Sequence, residues 1–135
     1  MAALTWKDEY SVKIAEVDAQ HKKLIGLIGE LDQAMAKRQG KEVVGSVLDK
    51  LISYTVTHFT YEENLMRANN FPGYQEHKDK HEKMTAKVLD LQRQQQQGKL
   101  TISLEVMDFL KNWLQKHILG TDMQYSAFLN DQGVH

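Results

Sequence analysis

The sequence contains no cysteine, and this absence excludes several kinds of site at once. Disulfide bonds, thiolate zinc sites, cysteine-ligated iron–sulfur clusters and thiol nucleophiles all require a cysteine side chain. Any metal that this protein binds must therefore be held by histidine, aspartate or glutamate.

Proline and glycine are also scarce, with one proline and eight glycines among 135 residues. Sandwiches and barrels need turn residues at short intervals, so this composition argues against both. Leucine, lysine, glutamate, glutamine and alanine are plentiful, and all five favour helix. With 41% hydrophobic and 26% charged residues, residues 1–135 are expected to form a single all-α domain.

The chain lacks both an excess of one charge and a long apolar run. Its 17 basic and 18 acidic residues are spread evenly and give a net charge of −1, so we expect no nucleic-acid partner. No stretch resembles a membrane span of about 18 uncharged apolar residues, and the N-terminus has neither a basic start nor an apolar run. The sequence therefore predicts a cytoplasmic, monomeric protein without membrane insertion.

Apolar residues recur at helical spacing in four segments of the chain. After an N-terminal arm over residues 1–17, the predicted helices span about residues 18–39, 41–69, 74–97 and 101–119, and a short helix follows at about 123–129. Asp18 is the expected N-cap of the first helix. Four long helices with short connections predict an antiparallel up-down-up-down four-helix bundle.

Five histidines lie on the apolar stripes of these helices, where a solvated side chain has no place. They are His21, His58, His77, His81 and His117. A single buried histidine is usually a satisfied core residue, but five on stripes by chance has a probability of roughly 0.3%. Burying unpaired polar groups costs several kcal/mol each, and a bound cation removes that cost. The pattern predicts a metal site in the core.

Distances along the chain predict that four of these histidines lie at one depth in the bundle. Gly40 and Gly98 are expected to mark two turns at the same end. His21 and His58 lie 19 and 18 residues from the first turn, and the histidines at 81 and 117 lie 17 and 19 residues from the second. At about 1.5 Å per residue these heights agree to within roughly 3 Å.

Two carboxylates complete the predicted ligand set, and they are placed differently. Two pairs at a spacing of four residues share one helix face: His58 with Glu62, and His77 with His81. Asp122 instead follows His117 by five residues, which is about 140° around an unbroken α-helix. We expect the chain to deviate at Gly120, so that Asp122 reaches the site.

With these motifs the chain resembles the hemerythrin family, and its bacterial single-domain members in particular. The resemblance covers nearly the whole chain and lies in an early Gln-His, followed in order by HxxxE, HxxxH and HxxxxD. It implies that one iron ion is bound by His77, His81 and His117, and a second by His21 and His58. Glu62 and Asp122 would bridge both irons together with a solvent-derived oxo or hydroxo group.

The resemblance also implies reversible dioxygen binding rather than catalysis. The three-histidine iron would have six ligands and the two-histidine iron five, so dioxygen is expected to bind at the latter. Trp113 and Leu119 would wall the oxygen pocket, whereas the spacing of Phe59, Tyr61 and Tyr125 assigns them no role. The expected function is an oxygen carrier, storage or delivery protein, with an oxygen-consuming enzyme as a candidate recipient.

Two alternatives stay open, a di-iron redox enzyme and an oxygen or redox sensor module. Ferritin-like sites use four carboxylates and two histidines, whereas this set has five histidines and two carboxylates. Fewer anionic ligands stabilise high-valent iron less well, which favours reversible binding over an enzyme. A sensor is normally fused to an output domain, for which we expect no segment here. Zinc, manganese and copper also accept these ligand types.

Overall fold

The computed structural model describes residues 5–37, 41–97 and 104–135, and this part of the chain contains helices but no strand. A short 3-10 turn, Asp8–Tyr10, precedes α1 (Ala15–Ala36), α2 (Lys41–Ala68), α3 (Tyr74–Gln96) and α4 (Leu104–Lys116). A π-helical turn, His117–Asp122, then leads directly into α5 (Met123–Asp131). Helix α1 packs against α2 and α4, and α2 packs against α3, which confirms the predicted antiparallel bundle.

The start of α1 differs from the prediction. The helix begins at Ala15, and its N-cap is Ile14, so the expectation that Asp18 caps the helix is wrong. The Asp18 carboxylate instead accepts hydrogen bonds from the Ser11 hydroxyl at 2.5 Å and the Val12 amide at 2.9 Å. Asp18 therefore fastens the preceding arm to the first turn of α1. The turn residues Gly40 and Gly98, and the predicted helix ends at 39 and 101, lie outside the described residues.

The N-terminal arm belongs to the core of the bundle. Tyr10, Val12 and Ile14 are 2% exposed or less. The arm is also tied to α5, because the Ser126 hydroxyl donates to the carbonyl of Val12 at 2.6 Å. The arm and α5 together close one end of the bundle, where a solvated tail would have left the core open.

Two apolar clusters enclose the layer in which the histidines lie. The larger cluster contains Leu24 of α1, Leu51 of α2 and Leu114 of α4. The smaller one joins the arm to the opposite end of the helices and includes Val17, Met66 and Leu129. Each long helix therefore runs from one apolar cluster through the polar layer towards the other, which excludes water from both ends of that layer.

None of the helices in the described ranges combines the length and the apolar character that a membrane span needs.

Candidate metal centre

The structure brings all seven predicted ligand residues together in the polar layer, and each is at most 5% exposed. Helix α1 supplies one, α2 and α3 supply two each, and the two ends of the π-helical turn supply the last two. In that order they are His21; His58 and Glu62; His77 and His81; His117 and Asp122. Three helices and one turn thus converge on a single buried site.

The seven residues form two overlapping groups, and in each group one ligand atom per residue lies within 4.8 Å of all the others. The first group contains three histidines and two carboxylates: His77, His81, His117, Glu62 and Asp122. The second contains two histidines and the same carboxylates: His21, His58, Glu62 and Asp122. The site therefore has the shape of two adjacent metal positions that share both carboxylates.

Asp122 faces both groups through different oxygen atoms. Its Oδ1 lies 2.9 Å from Nε2 of His77 and 3.0 Å from Nε2 of His117. Its Oδ2 lies 3.0 Å from Nε2 of His21. This carboxylate is placed to bridge two cations, one on each side.

Glu62 also lies between the groups, and a tyrosine orients it. Its Oε1 lies 2.8 Å from Nε2 of His58 and 3.5 Å from Nε2 of His81. Its Oε2 accepts a hydrogen bond from the Tyr125 hydroxyl at 2.5 Å, and burial together with Glu62 and Asp122 raises the pKa of Tyr125 well above its ordinary value. Tyr125 therefore stays protonated and holds the Glu62 carboxylate in one orientation.

The π-helical turn explains how Asp122 reaches the site. In a π-helix the backbone hydrogen bond runs from residue i to i+5, so residues five apart stand on one face. His117 and Asp122 are the two ends of such a turn. Gly120 has no left-handed φ, and a Cβ there would meet nothing within 4 Å. The backbone deviates from an α-helix before Asp122, as predicted. This deviation extends over the whole π-helical turn and does not require Gly120.

The hydrogen bonding of the layer is incomplete without a cation. The buried atoms without a hydrogen-bond partner are both ring nitrogens of His21 and His77, Nε2 of His58, Oε1 of Glu62 and both oxygens of Asp122. Several of these atoms approach one another at 2.8 to 3.0 Å, but their directions do not suit hydrogen bonds. Because unsatisfied buried polar atoms are rare and costly, converging lone pairs of this kind fit bound metal ions.

Two neighbouring side chains fix the tautomers of His58 on α2 and His81 on α3. Nδ1 of His58 lies 2.6 Å from Oε1 of Gln20, and Nδ1 of His81 lies 3.0 Å from Oε2 of Glu63. Since an oxygen acceptor requires an N–H donor, Nδ1 carries the proton in both rings. The lone pair on each Nε2 then points into the cluster, which is the form that binds a metal.

Two members of the cluster are held in the protonation state that a metal ligand needs. Burial lowers the pKa of His81 to about 3, with the neighbouring histidines adding to the effect, so this ring is neutral. Burial by itself would raise the pKa of Asp122, but contacts with His117, His21 and His77 hold it well below its ordinary value. Metal ligands must be deprotonated, and these two groups already are, whereas Asp122 and Glu62 raise the pKa of His117 against the effect of burial, so that its proton competes with a metal.

Aromatic side chains cover His81 of α3 and His117 of the π-helical turn. Phe59 stacks on His81 with ring centroids 3.9 Å apart, and Trp113 stacks on His117 at 4.7 Å. Leu119, predicted to wall an oxygen pocket, is 38% exposed, and its role there stays a prediction. These rings position the imidazoles and keep water from one side of the cluster.

Sequence spacing does not identify the supporting residues Gln20 and Glu63, and it assigns Tyr125 no role. Gln20 and Glu63 each stand next to a predicted ligand along the chain, but spacing alone does not show which histidine from another helix they contact. Tyr125 lies three residues after Asp122, one turn further into α5. Only the packing of the helices reveals these contacts.

A bundle whose core holds five imidazoles and two shared carboxylates defines a helical metal-binding protein. The family model described as the hemerythrin HHE cation binding domain matches residues 12–129. That match includes most of the chain and all seven residues of the cluster. The chain therefore belongs to the hemerythrin family.

Individual relatives agree with this assignment. A bacteriohemerythrin of Stenotrophomonas maltophilia is 35% identical over 93% of this chain and 81% of its own length. A bacteriohemerythrin of Methylococcus capsulatus is 30% identical over 96% of this chain and 99% of its own. A crystal structure of wild-type hemerythrin covers 95% of this chain and 98% of its own, with a TM-score of 0.89 and 30% identity.

Replacing Gly120 by alanine tests whether the π-helical turn depends on glycine. We expect Gly120→Ala to keep its metal and to raise the free energy of unfolding by about 0.5–1 kcal/mol, because alanine loses less backbone entropy on folding. Gly26→Ala in α1 is the matched control, since a Cβ there also meets nothing within 4 Å. Urea unfolding and metal content are the measurements. Loss of metal from Gly120→Ala alone would mean that the turn needs glycine.

Changing Gln20 tests the contact that orients His58. Gln20→Leu removes the acceptor for Nδ1–H, so we expect metal affinity to fall about 10- to 100-fold. Gln20→Glu keeps an oxygen acceptor and should retain most of the affinity. Competitive metal titration against a chelator measures both variants. Equal losses in the two variants would show that packing at this position matters and the hydrogen bond does not.

Proposed function

We propose that this protein binds dioxygen reversibly at a pair of iron ions held by the seven clustered residues, as an oxygen carrier, storage or delivery protein. The observation that carries the proposal is the pair of ligand groups that share both carboxylates. Membership of the hemerythrin family supports iron as the metal. An oxygen-consuming enzyme is the recipient that fits such a role.

The unequal numbers of histidines favour one side of the cluster as the binding position. Three histidines contribute to one group and two to the other, while both carboxylates serve both groups. With the same bridging oxygens on each side, the group of His21 and His58 leaves one more coordination position for a small ligand. A ferrous pair held by these residues would supply the two electrons that reversible dioxygen binding requires.

An apolar cavity lies about one helical turn from the cluster, beside histidines of both groups. It has a volume of about 20 Å³, and its lining residues include Leu24, Thr55, Met84 and Leu114. Each of these four stands three residues, or about one helical turn, from a histidine of the cluster. Small apolar cavities in proteins stay dry and admit apolar molecules, so this cavity suits dioxygen better than water.

Reversible dioxygen binding requires that water be excluded from the site, because water promotes irreversible oxidation of the iron. The cluster lies between two apolar regions of the core, and none of its seven residues is more than 5% exposed. A proton donor beside bound dioxygen would favour release of peroxide and leave oxidised iron, so a dry layer preserves the reversible reaction. The Tyr125 hydroxyl is engaged with Glu62, which keeps its proton from the open position.

Reversible oxygenation is the direct test of this function. We expect the iron-loaded protein to contain about two iron ions per chain, in keeping with a di-iron bundle site. The reduced protein should gain visible absorption in air and lose it again under argon, through several cycles. Zinc in a protein grown with ample iron would contradict the assignment of the metal. Steady oxygen consumption in the presence of a reductant would move the assignment from carrier to enzyme.

Filling the cavity tests its role in oxygen entry. Ile28 lines the cavity, and Ile28→Phe should occupy the space and slow oxygen association by about ten-fold at unchanged iron content. Ile25→Phe is the matched control, because Ile25 is buried in the same helix and core but does not line this cavity. Stopped-flow oxygen binding measures both variants. Equal slowing in the two would indicate a general packing effect and no role for the cavity.

A further inference from the structure

A groove lined by lysines lies between α3 and the end of α4, directly over the metal centre. Its volume is about 320 Å³, and four of its nine lining residues are lysines: Lys80, Lys83, Lys87 and Lys116. No acidic residue lines it. The first and last of the three lysines of α3 are seven residues apart, which gives a stripe about 10 Å long.

The positive charge of this groove is largely uncompensated. Lys80 approaches Glu76 at 3.9 Å, but the side chains are 41% and 75% exposed, and such a pair contributes little. For the other three lysines, the described part of the chain provides no ion pair. Lys87 lies 5.7 Å from the ring centroid of Phe109, which is 38% exposed. The groove is thus a local positive patch on a chain of net charge −1.

The floor of the groove reaches the metal centre. His117 and the Trp113 ring stacked on it both line the groove. His117 is the one residue of the seven-residue cluster in that lining, and its Nε2 lies 3.0 Å from Asp122. A molecule seated in the groove would therefore be separated from the metal positions by a single imidazole ring.

We propose that this groove docks the acidic face of a small one-electron donor protein that returns oxidised iron to the ferrous state. The inference rests on the proposed function, because only an iron centre that must be ferrous to bind dioxygen needs such a donor. One electron passes from the donor to one ferric ion, leaving the donor oxidised, and two encounters restore the pair. Redox complexes use small interfaces steered by charge, and an open lysine stripe suits them.

A [2Fe–2S] ferredoxin with an acidic surface is the probe. Prereduced ferredoxin, free of excess reductant, is mixed in a stopped-flow instrument with the oxidised iron-loaded protein, and reduction is followed at several salt concentrations. Calorimetric titration with oxidised ferredoxin measures docking separately from electron transfer. Full reduction by excess dithionite checks that each variant retains an intact iron centre.

Charge reversal on α3 provides the test variant, Lys83→Glu with Lys87→Glu, at two exposed positions. The matched control is Lys23→Glu with Lys50→Glu, which changes the net charge equally at a second groove of about 460 Å³ between α1 and α2. We expect the α3 variant to lose about ten-fold or more in both reduction rate and ferredoxin affinity, and the control to stay near the parent. The parent rate should also fall steeply with salt.

Three results would overturn the proposal. These are equal slowing of the two variants, a rate independent of salt, and binding of inorganic phosphate in the groove with no binding of ferredoxin. Failure of the proposed function is a separate outcome, since a protein that does not bind dioxygen can still be titrated with ferredoxin. If ferredoxin binds to a protein that does not bind dioxygen, the docking surface stands and the proposed function fails. If the protein binds dioxygen normally and ferredoxin does not bind, the proposed function stands and the docking proposal alone fails.

Discussion

The structure depends on one constraint, which is that seven ionisable side chains lie in a layer of the core and each is at most 5% exposed to solvent. Burial of unpaired imidazoles and carboxylates costs several kcal/mol per group, and the short contacts among them are not aligned as hydrogen bonds. Cations at the centre would satisfy the converging lone pairs together. The arm, α5 and the two apolar clusters can be understood as the enclosure that this layer requires.

The two carboxylates are shared by both ligand groups, so the asymmetry of the layer comes from its histidines. Asp122 faces both ligand groups because the π-helical turn brings it onto the side of His117, and Glu62 is held between them by Tyr125. Since both groups use the same carboxylates, the difference between them is one histidine. In the proposed function, two irons held by these groups would leave an open position on the side with two histidines, and the nearby apolar cavity and dry surroundings would suit dioxygen.

Much of this arrangement could be predicted from the sequence, because periodic features determine it. Apolar spacing predicted the bundle, and histidines on those stripes predicted a buried metal site at the residues that the structure brings together. The misplaced cap at Asp18 and the deviation assigned to Gly120 show where spacing is insufficient. Both depend on local backbone geometry, and the contacts of Gln20, Glu63 and Tyr125 depend on neighbours from other helices.

The central claim is that two irons share Glu62 and Asp122 within one bundle core. X-ray diffraction from crystals of the iron-loaded protein, recorded at the iron absorption edge, tests it most directly. We expect two anomalous peaks, one beside the histidines at 77, 81 and 117 and one beside His21 and His58, with both carboxylates between them. A single peak, or a second peak outside the bundle core, would contradict it.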